Sequence, residues 1–286
     1  MNTFFTDIVN QLINAGIENP RLEARLMLAH IKQCTASEIY TDIDLDETQQ
    51  KQLKAVLSRR LNHEPLDKIL GTRSFFKYDF KVNADVLSPR PDTETLVESV
   101  LETYADRNRP LNLLDLGTGS GCIIESLLAE YPNANGLAVD ISAKALSVAQ
   151  QNAESLGLSN RLNFLQADWF VTDFIQKINR KFEIIVTNPP YIPTADIAGL
   201  APEVRNYDPR LALDGGADGF SGYRRLAEVV PQLLTDGGSV FIEAGIGQAD
   251  RIAQIFTVGG LHLHAVKKDL SGIQRCVILQ NNPCRK

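Results

Sequence analysis

The 286-residue chain has no apolar run near the length of a membrane span, so a membrane partner is not expected. Its first residues, Met1-Asn2-Thr3-Phe4-Phe5-Thr6-Asp7, lack a basic segment followed by an apolar one, so no secretory signal is expected. Cysteine is sparse: Cys34, Cys122, Cys276 and Cys284 are scattered, without a C-x-x-C pair. That argues against a disulfide framework or a cysteine zinc site and fits reduced thiols in a cytoplasm. Only four histidines are present, and His262 and His264 have no third ligand nearby in sequence, so no metal is expected. There is no excess of positive charge; the net charge is −6, whereas a protein of duplex DNA usually carries a basic face. No nucleic-acid partner is therefore expected. Repeats and low-complexity segments are missing too. What is present is an ordinary globular balance, 44% hydrophobic and 22% charged, over a length that suits two domains.

The period of the apolar residues changes along the chain. Phe4, Phe5, Ile8, Val9, Leu12 and Ile13 recur at helical spacing, and Gly16 stops that helix. Asn19-Pro20 starts a second, with Asn19 as cap and Leu22, Leu26, Leu28, Ala29 and Ile31 on its buried side. A third is expected from Asp46 to His63, with Leu53, Val56, Leu57 and Leu61 on one face. Residues 1–70 thus read as a helical bundle for packing or partner docking. Phe76, Tyr78, Phe80 and Val82 then alternate with Lys77, Asp79 and Lys81, so 71–88 is expected to hold a connecting hairpin. Residues 89–286 form the third part. Prolines at 89 and 91 stiffen the lead into a helix whose first turn favours Asp92 and Glu94. After Pro110 strands and helices alternate, which predicts an α/β domain with a parallel sheet. Its strands are Leu111–Leu116, Gly136–Asp140, Leu162–Gln166, the run Phe182–Thr187 and Ser239–Glu243, with a helix from Ser142 to Leu156 stopped by Gly157. Leu261–Val266 and Arg275–Gln280 are too close for a helical crossover and predict an antiparallel hairpin.

Chemistry concentrates at the strand ends. Asn188-Pro189-Pro190-Tyr191 follows the fourth strand. Two prolines remove two backbone donors, so the carbonyls there meet little local competition. The Asn188 side-chain oxygen and the Pro189 carbonyl can accept both hydrogens of a substrate –NH₂, and Tyr191 offers it a flat face. An amide nitrogen is a poor nucleophile, and holding it in one orientation is catalysis by positioning.

Asp115-Leu116-Gly117-Thr118-Gly119-Ser120-Gly121 closes the first strand and opens a helix. The glycines let backbone approach a ligand. The G-x-G-x-G spacing differs from the dinucleotide G-x-G-x-x-G, and Asp115 would repel a pyrophosphate while suiting a cationic amino group. Asp140, followed by Ile141, ends the second strand where an acid commonly takes a ribose diol, and Asp168-Trp169 ends the third beside an expected adenine. One cofactor fits this set: S-adenosylmethionine, a nucleoside with an amino-acid tail and no phosphate.

Three stretches carry a family resemblance. They are Arg59-Arg60 with Glu64-Pro65, Gly71, Phe75 and the run Val86 to Glu98; Asp115 to Gly121; and Asn188 to Pro193 followed by Tyr207-Asp208-Pro209-Arg210-Leu211-Ala212-Leu213-Asp214-Gly215-Gly216. Together they make the chain resemble the release-factor glutamine N5-methyltransferases over nearly its whole length. Ser88 departs from the Ile usual in that family. The resemblance implies a small N-terminal helical bundle, a β-hairpin linker and a Rossmann-like, seven-stranded methyltransferase sheet. It implies methyl transfer from S-adenosylmethionine to the Gln side-chain amide in the Gly-Gly-Gln loop of class 1 peptide chain release factors. Cofactor contacts would come from Asp115, Gly117, Thr118, Gly119, Ser120, Gly121, Asp140, Ile141, Asp168, Trp169 and Asn188. Catalysis and glutamine binding would fall to Asn188, Pro189, Pro190 and Tyr191, with Arg90 and Glu94 as further substrate contacts. A cytoplasmic monomer is expected. The long segment from Ile192 to Tyr223 is expected to grip substrate, with Glu203, Arg205 and Arg210 as contacts. The alternative carried by the same Asn-Pro-Pro-Tyr is an N6-adenine nucleic-acid methyltransferase, which would need base flipping.

Overall fold

Two units make up the computed structural model, which describes residues 3–39 and 44–281 and so leaves Cys284 outside. The first spans Met1–Thr72 and also takes in Ala201–Tyr207. Its helices are Thr3–Asn14, Pro20–Lys32, Glu47–Leu61 and Leu66–Leu70. They close over Leu12, Met27 and Leu28, all fully buried. The third helix starts where its chemistry says: Asp46 accepts the Gln49 N–H at 2.8 Å while Gln49 reaches back to the Asp46 N–H. Two local expectations fail. Asn19 stands at the start of the second helix in a left-handed conformation and caps nothing with its side chain. Leu22 is exposed, because the buried stripe runs through Ala24, Met27, Leu28 and Ile31 instead.

The added segment folds as a short helix, Pro202–Tyr207, held by polar contacts. Arg60, only 5% exposed, pairs with Glu23 at 2.7 Å and with Glu203 at 3.4 Å. His63 meets the same Glu203 at 3.0 Å, and Lys68 donates to the Tyr207 carbonyl at 2.6 Å. Glu203, expected to touch substrate, is thus engaged by Arg60 and His63.

In the second unit, strands β1 (Thr72–Phe75) and β2 (Tyr78–Lys81) form a two-stranded sheet, whose first residue still belongs to the first unit. Phe76, read as a strand residue, sits in the turn between them at φ 56. The main sheet contains β3 (Asn112–Leu116), β4 (Asn135–Asp140), β5 (Leu162–Gln166), β6 (Phe182–Thr187), β7 (Leu234–Glu243), β8 (His262–Lys268) and β9 (Gln274–Gln280). Their order is β5-β4-β3-β6-β7-β9-β8. The first five run parallel, and β9 lies antiparallel between β7 and β8. This is the seven-stranded Rossmann-like sheet that the resemblance implied. Strand β7 begins earlier than expected, at Leu234, with an irregular register before Ser239.

Helices cover both faces, so the central strands are apolar on both sides. Leu114, Leu116, Ile185 and Ile242 belong to one core, while Leu113, Ile184, Val186 and Phe241 belong to the other. The strand order reverses between β3 and β6. In sheets of this kind, ligands bind beyond the carboxyl ends of the strands at that reversal.

Candidate active site

The turn after β3 is pulled onto the end of β4. Gly117 and Thr118 both donate backbone N–H groups to the Val139 carbonyl, at 2.9 and 3.0 Å. Asp140 then organises what lies around it: one carboxylate oxygen accepts the Gly119 N–H at 2.9 Å and the other the Ser142 N–H at 2.8 Å. Burial raises the Asp140 pKa despite these bonds. Gly121, at φ 85, ends the turn and begins the helix Cys122–Glu130.

Two carboxyl groups lie behind this turn, on the face of the sheet that carries Leu113. Asp115 is fully buried and accepts the Thr118 hydroxyl at 2.7 Å, while its second oxygen has no partner. Burial pushes its pKa up to about 7. Glu125 is fully buried with neither oxygen partnered, and burial followed by the Asp115 charge pushes it up to about 9. A helix N-terminus ordinarily welcomes a phosphate. Here the buried Asp115 stands behind it, and its negative charge disfavours a pyrophosphate, whereas Glu125 stays protonated at neutral pH. A nucleoside with a cationic tail suits this donor and acceptor set.

A cavity of about 380 Å³ opens over the strand ends. Its size is in the range of small-molecule sites. Gly117, Thr118, Gly119, Ser120, Asp140, Ile141, Asp168 and Trp169 line it, together with Arg90, Asn188 and Pro190. The ends of four strands therefore converge on one space. Trp169 packs so tightly on the turn that a Cβ at Gly117 would sit 3.2 Å from its ring. Its backbone carbonyl is gripped by Arg225 at 2.6 Å, and its indole N–H is buried without a partner. Asp168 uses one oxygen for the Phe170 N–H at 2.8 Å.

Asn188 and Pro190 reach the cavity wall, whereas Pro189 is buried beside it and Tyr191 points to the core. Tyr191 is enclosed by glycines: a Cβ on Gly215 would lie 2.8 Å from its Cα, and one on Gly245 would lie 2.9 Å from its ring. The sequel Leu213-Asp214-Gly215-Gly216 pins the corner. Ile192 donates to the Leu213 carbonyl at 3.0 Å, Gly215 to the Ile192 carbonyl at 2.8 Å, and Thr194 to the Gly216 carbonyl at 2.9 Å. Gln248 holds the Tyr191 carbonyl at 3.1 Å. Burial pushes the Tyr191 phenol up to about 12, so it stays neutral.

Besides Pro189 and Tyr191, six of the expected residues are not on the cavity wall: Asp115 lies behind the turn, Gly121 ends it away from the cavity, Glu94 is turned away, Arg210 is off the wall, and Glu203 and Arg205 belong to the first unit. Glu94 accepts the Phe76 backbone N–H at 3.0 Å and so closes the β1–β2 turn. Arg90 does line the cavity and donates to the buried Asp208 at 3.1 Å. Arg210 pairs with Asp214 at 3.4 Å. Several wall residues, including Val86, Ser88, Thr93 and Leu211, lie in the stretches that carry the family resemblance but were not read as site residues. Glu243, at the end of β7 beside Asn188, also escaped the sequence reading. A lone acid closing a strand carried no local signal, although Asp140 and Asp168 hold the same kind of position.

Comparison with known proteins agrees with this geometry. Residues 5–71 match the family described as PrmC N-terminal domain, and residues 90–200 match the methyltransferase small domain. The release factor glutamine methyltransferase of Rhodospirillum rubrum is 47% identical over 92% of this chain and 80% of its own length. That of Caulobacter vibrioides is 41% identical over 98% of this chain and 96% of its own. A methyltransferase from Pyrococcus furiosus shares the fold, with a TM-score of 0.52 at 17% identity over 82% of this chain and 98% of that one. With four strand ends meeting over a phosphate-averse glycine turn, and close relatives along almost its full length, the chain belongs to the release factor glutamine methyltransferases.

Proposed function

We propose that the protein transfers a methyl group from S-adenosylmethionine to the side-chain amide nitrogen, N5, of the Gln in the Gly-Gly-Gln loop of class 1 peptide chain release factors. We further assign it to the cytoplasm as a monomer. The observation that carries the reading is the shared wall of one cavity: Asn188 and Pro190 line the same space as Gly117, Asp140 and Trp169.

In this reading Gly117 to Ser120, Asp140, Ile141, Asp168 and Trp169 hold S-adenosylmethionine. When bound, it supplies an electrophilic methyl group. Asn188 Oδ1 and the Pro189 carbonyl accept the two hydrogens of the glutamine amide and aim its nitrogen. As positive charge grows on that nitrogen, the same two acceptors hold its hydrogens more strongly, which lowers the barrier. The methylated nitrogen is strongly acidic and sheds one of its hydrogens as a proton to solvent water, so no strong base is required. Pro190 and the pinned corner behind it keep both acceptors in place.

Asn188→Ala should lower single-turnover transfer to purified release factor by roughly 100-fold, about 3 kcal/mol, with cofactor affinity nearly unchanged. Duplex DNA in place of release factor should accept no methyl group. Transfer by the variant at the wild-type rate, or methylation of DNA in preference to release factor, would overturn the reading.

A further inference from the structure

Glu243 is a carboxylate at the carboxyl end of β7, 2% exposed, with one oxygen inaccessible and without a hydrogen-bond partner. The parallel register sets Thr187 opposite Ile242. The next residues on each strand, Asn188 and Glu243, are therefore neighbours on the same face of the sheet. That face carries Ile184, Val186 and Phe241 on the same strands. The Asn188 side chain lies close enough to the Glu243 carboxyl to favour its charged form, as does that of Thr93.

An asparagine amide is nearly symmetric in shape, and its oxygen and nitrogen differ only in what they bond. Transfer as proposed above requires the oxygen to face the substrate. An ionised carboxylate can only accept a hydrogen bond, so it draws the –NH₂ end toward itself and leaves the oxygen outward. We propose that Glu243 is a positioning residue for methyl transfer, which takes an N–H of Asn188 and thereby turns Asn188 Oδ1 toward the substrate amide. This assignment rests on the proposed function and adds to it a residue that never touches the substrate.

The groups around Glu243 decide when it is ionised. Asp92 and Thr93 act on it from the turn Pro91–Thr93, Arg275 and Cys276 from β9, Cys122 from the start of the helix Cys122–Glu130, Tyr191 from the corner after β6, and Tyr223 from the helix Ser221–Leu233. Arg275 favours the charged form but shares its own charge between Asp92 at 2.6 Å and Asp269 at 3.0 Å. Burial dominates and pushes Glu243 up to about 7. When protonated, the carboxyl can donate to Asn188 Oδ1 and hold the amide the wrong way round. Turnover should therefore rise with pH through about 7.

The test uses the full chain, purified release factor and S-adenosylmethionine. Glu243→Gln can donate as well as accept, so it no longer enforces one orientation. It should lower kcat at least about 10-fold, leave KM and cofactor affinity within about twofold, and lose the acid limb due to Glu243. Asp115 also titrates near this pH, so the difference between the two profiles is the diagnostic quantity. In the Asn188→Ala background, Glu243→Gln should cost nothing further. A variant with wild-type kcat and an unchanged profile overturns the assignment, as does a fully additive double variant. Should Glu243→Gln perturb the fold, side-chain amide NMR of the wild-type protein decides: the Asn188 –NH₂ resonances should shift with an inflection near the Glu243 titration. A pH-independent resonance overturns the assignment. Wild-type protein inactive on release factor would instead overturn the proposed function, while the NMR titration would still report on the Asn188–Glu243 contact.

Discussion

Glu125→Gln is expected to stabilise the protein, and increasingly so as the pH rises. Glu125 sits in the first helical turn after the glycine loop, fully buried, with both oxygens unpartnered and the Asp115 carboxyl nearby. Its pKa is pushed from 4.5 up to about 9, first by burial and then by Asp115. Because the folded value lies above the unfolded one, the contribution to stability is complete below the unfolded pKa. It is lost as pH rises toward the folded value, because only the unfolded chain can ionise this group freely. The slope for one such group is about 1.4 kcal/mol per pH unit, so between about pH 5 and pH 8 the loss approaches 4 kcal/mol. That is a large part of the stability of an ordinary domain. Glutamine has nearly the same shape and cannot ionise, so the variant escapes this loss. The assay is urea unfolding of both proteins at about pH 5, 6.5 and 8. It can be followed by the fluorescence of Trp169, the single tryptophan, which lies in the same unit as Glu125. The two proteins should be close at the lowest pH and diverge in favour of glutamine by about 1 kcal/mol or more per unit. A difference that stays flat across this range would refute the reasoning.

Two further outcomes follow from the same loop. Gly121→Ala would drive a Cβ into Glu125 Oε1 and place it 3.1 Å from the Ala149 Cβ, at a φ of +85. It should destabilise the larger unit by about 1–3 kcal/mol and lower its Tm; an unchanged Tm would contradict the packing described. Asp140→Asn replaces one of two backbone-accepting oxygens with a donor, so either the Gly119 or the Ser142 N–H is left facing an amide –NH₂. Losing one charge-assisted bond should weaken S-adenosylmethionine binding by roughly 10-fold in calorimetry, and undiminished affinity would show that Asp140 does not set the turn.

Much of the fold could be read locally. The buried parallel strands announce themselves as short apolar runs, and β5 and β6 begin and end at the expected residues. The misses have physical causes. Phe76 keeps the alternating pattern through the turn, but a two-residue hairpin needed a left-handed residue there and the chain supplied an aromatic one. Leu22 carries an apolar side chain on a face that the other helices never cover. Glu203 looked like a loop acid free for substrate because Arg60 and His63 are far from it in sequence.

For the site, the sequence by itself determined the four chemical strand ends: the glycine turn, Asp140, Asp168-Trp169 and Asn-Pro-Pro-Tyr. Propensity, turn chemistry and side-chain type act over a few residues, so a linear reading suffices for them. Tertiary structure alone decided that β9 inserts beside β7, that Ala201–Tyr207 joins the helical unit, and that Glu243 stands next to Asn188. Sheet register couples residues across long stretches of intervening chain, and a contact made that way leaves no mark on the local pattern of either partner.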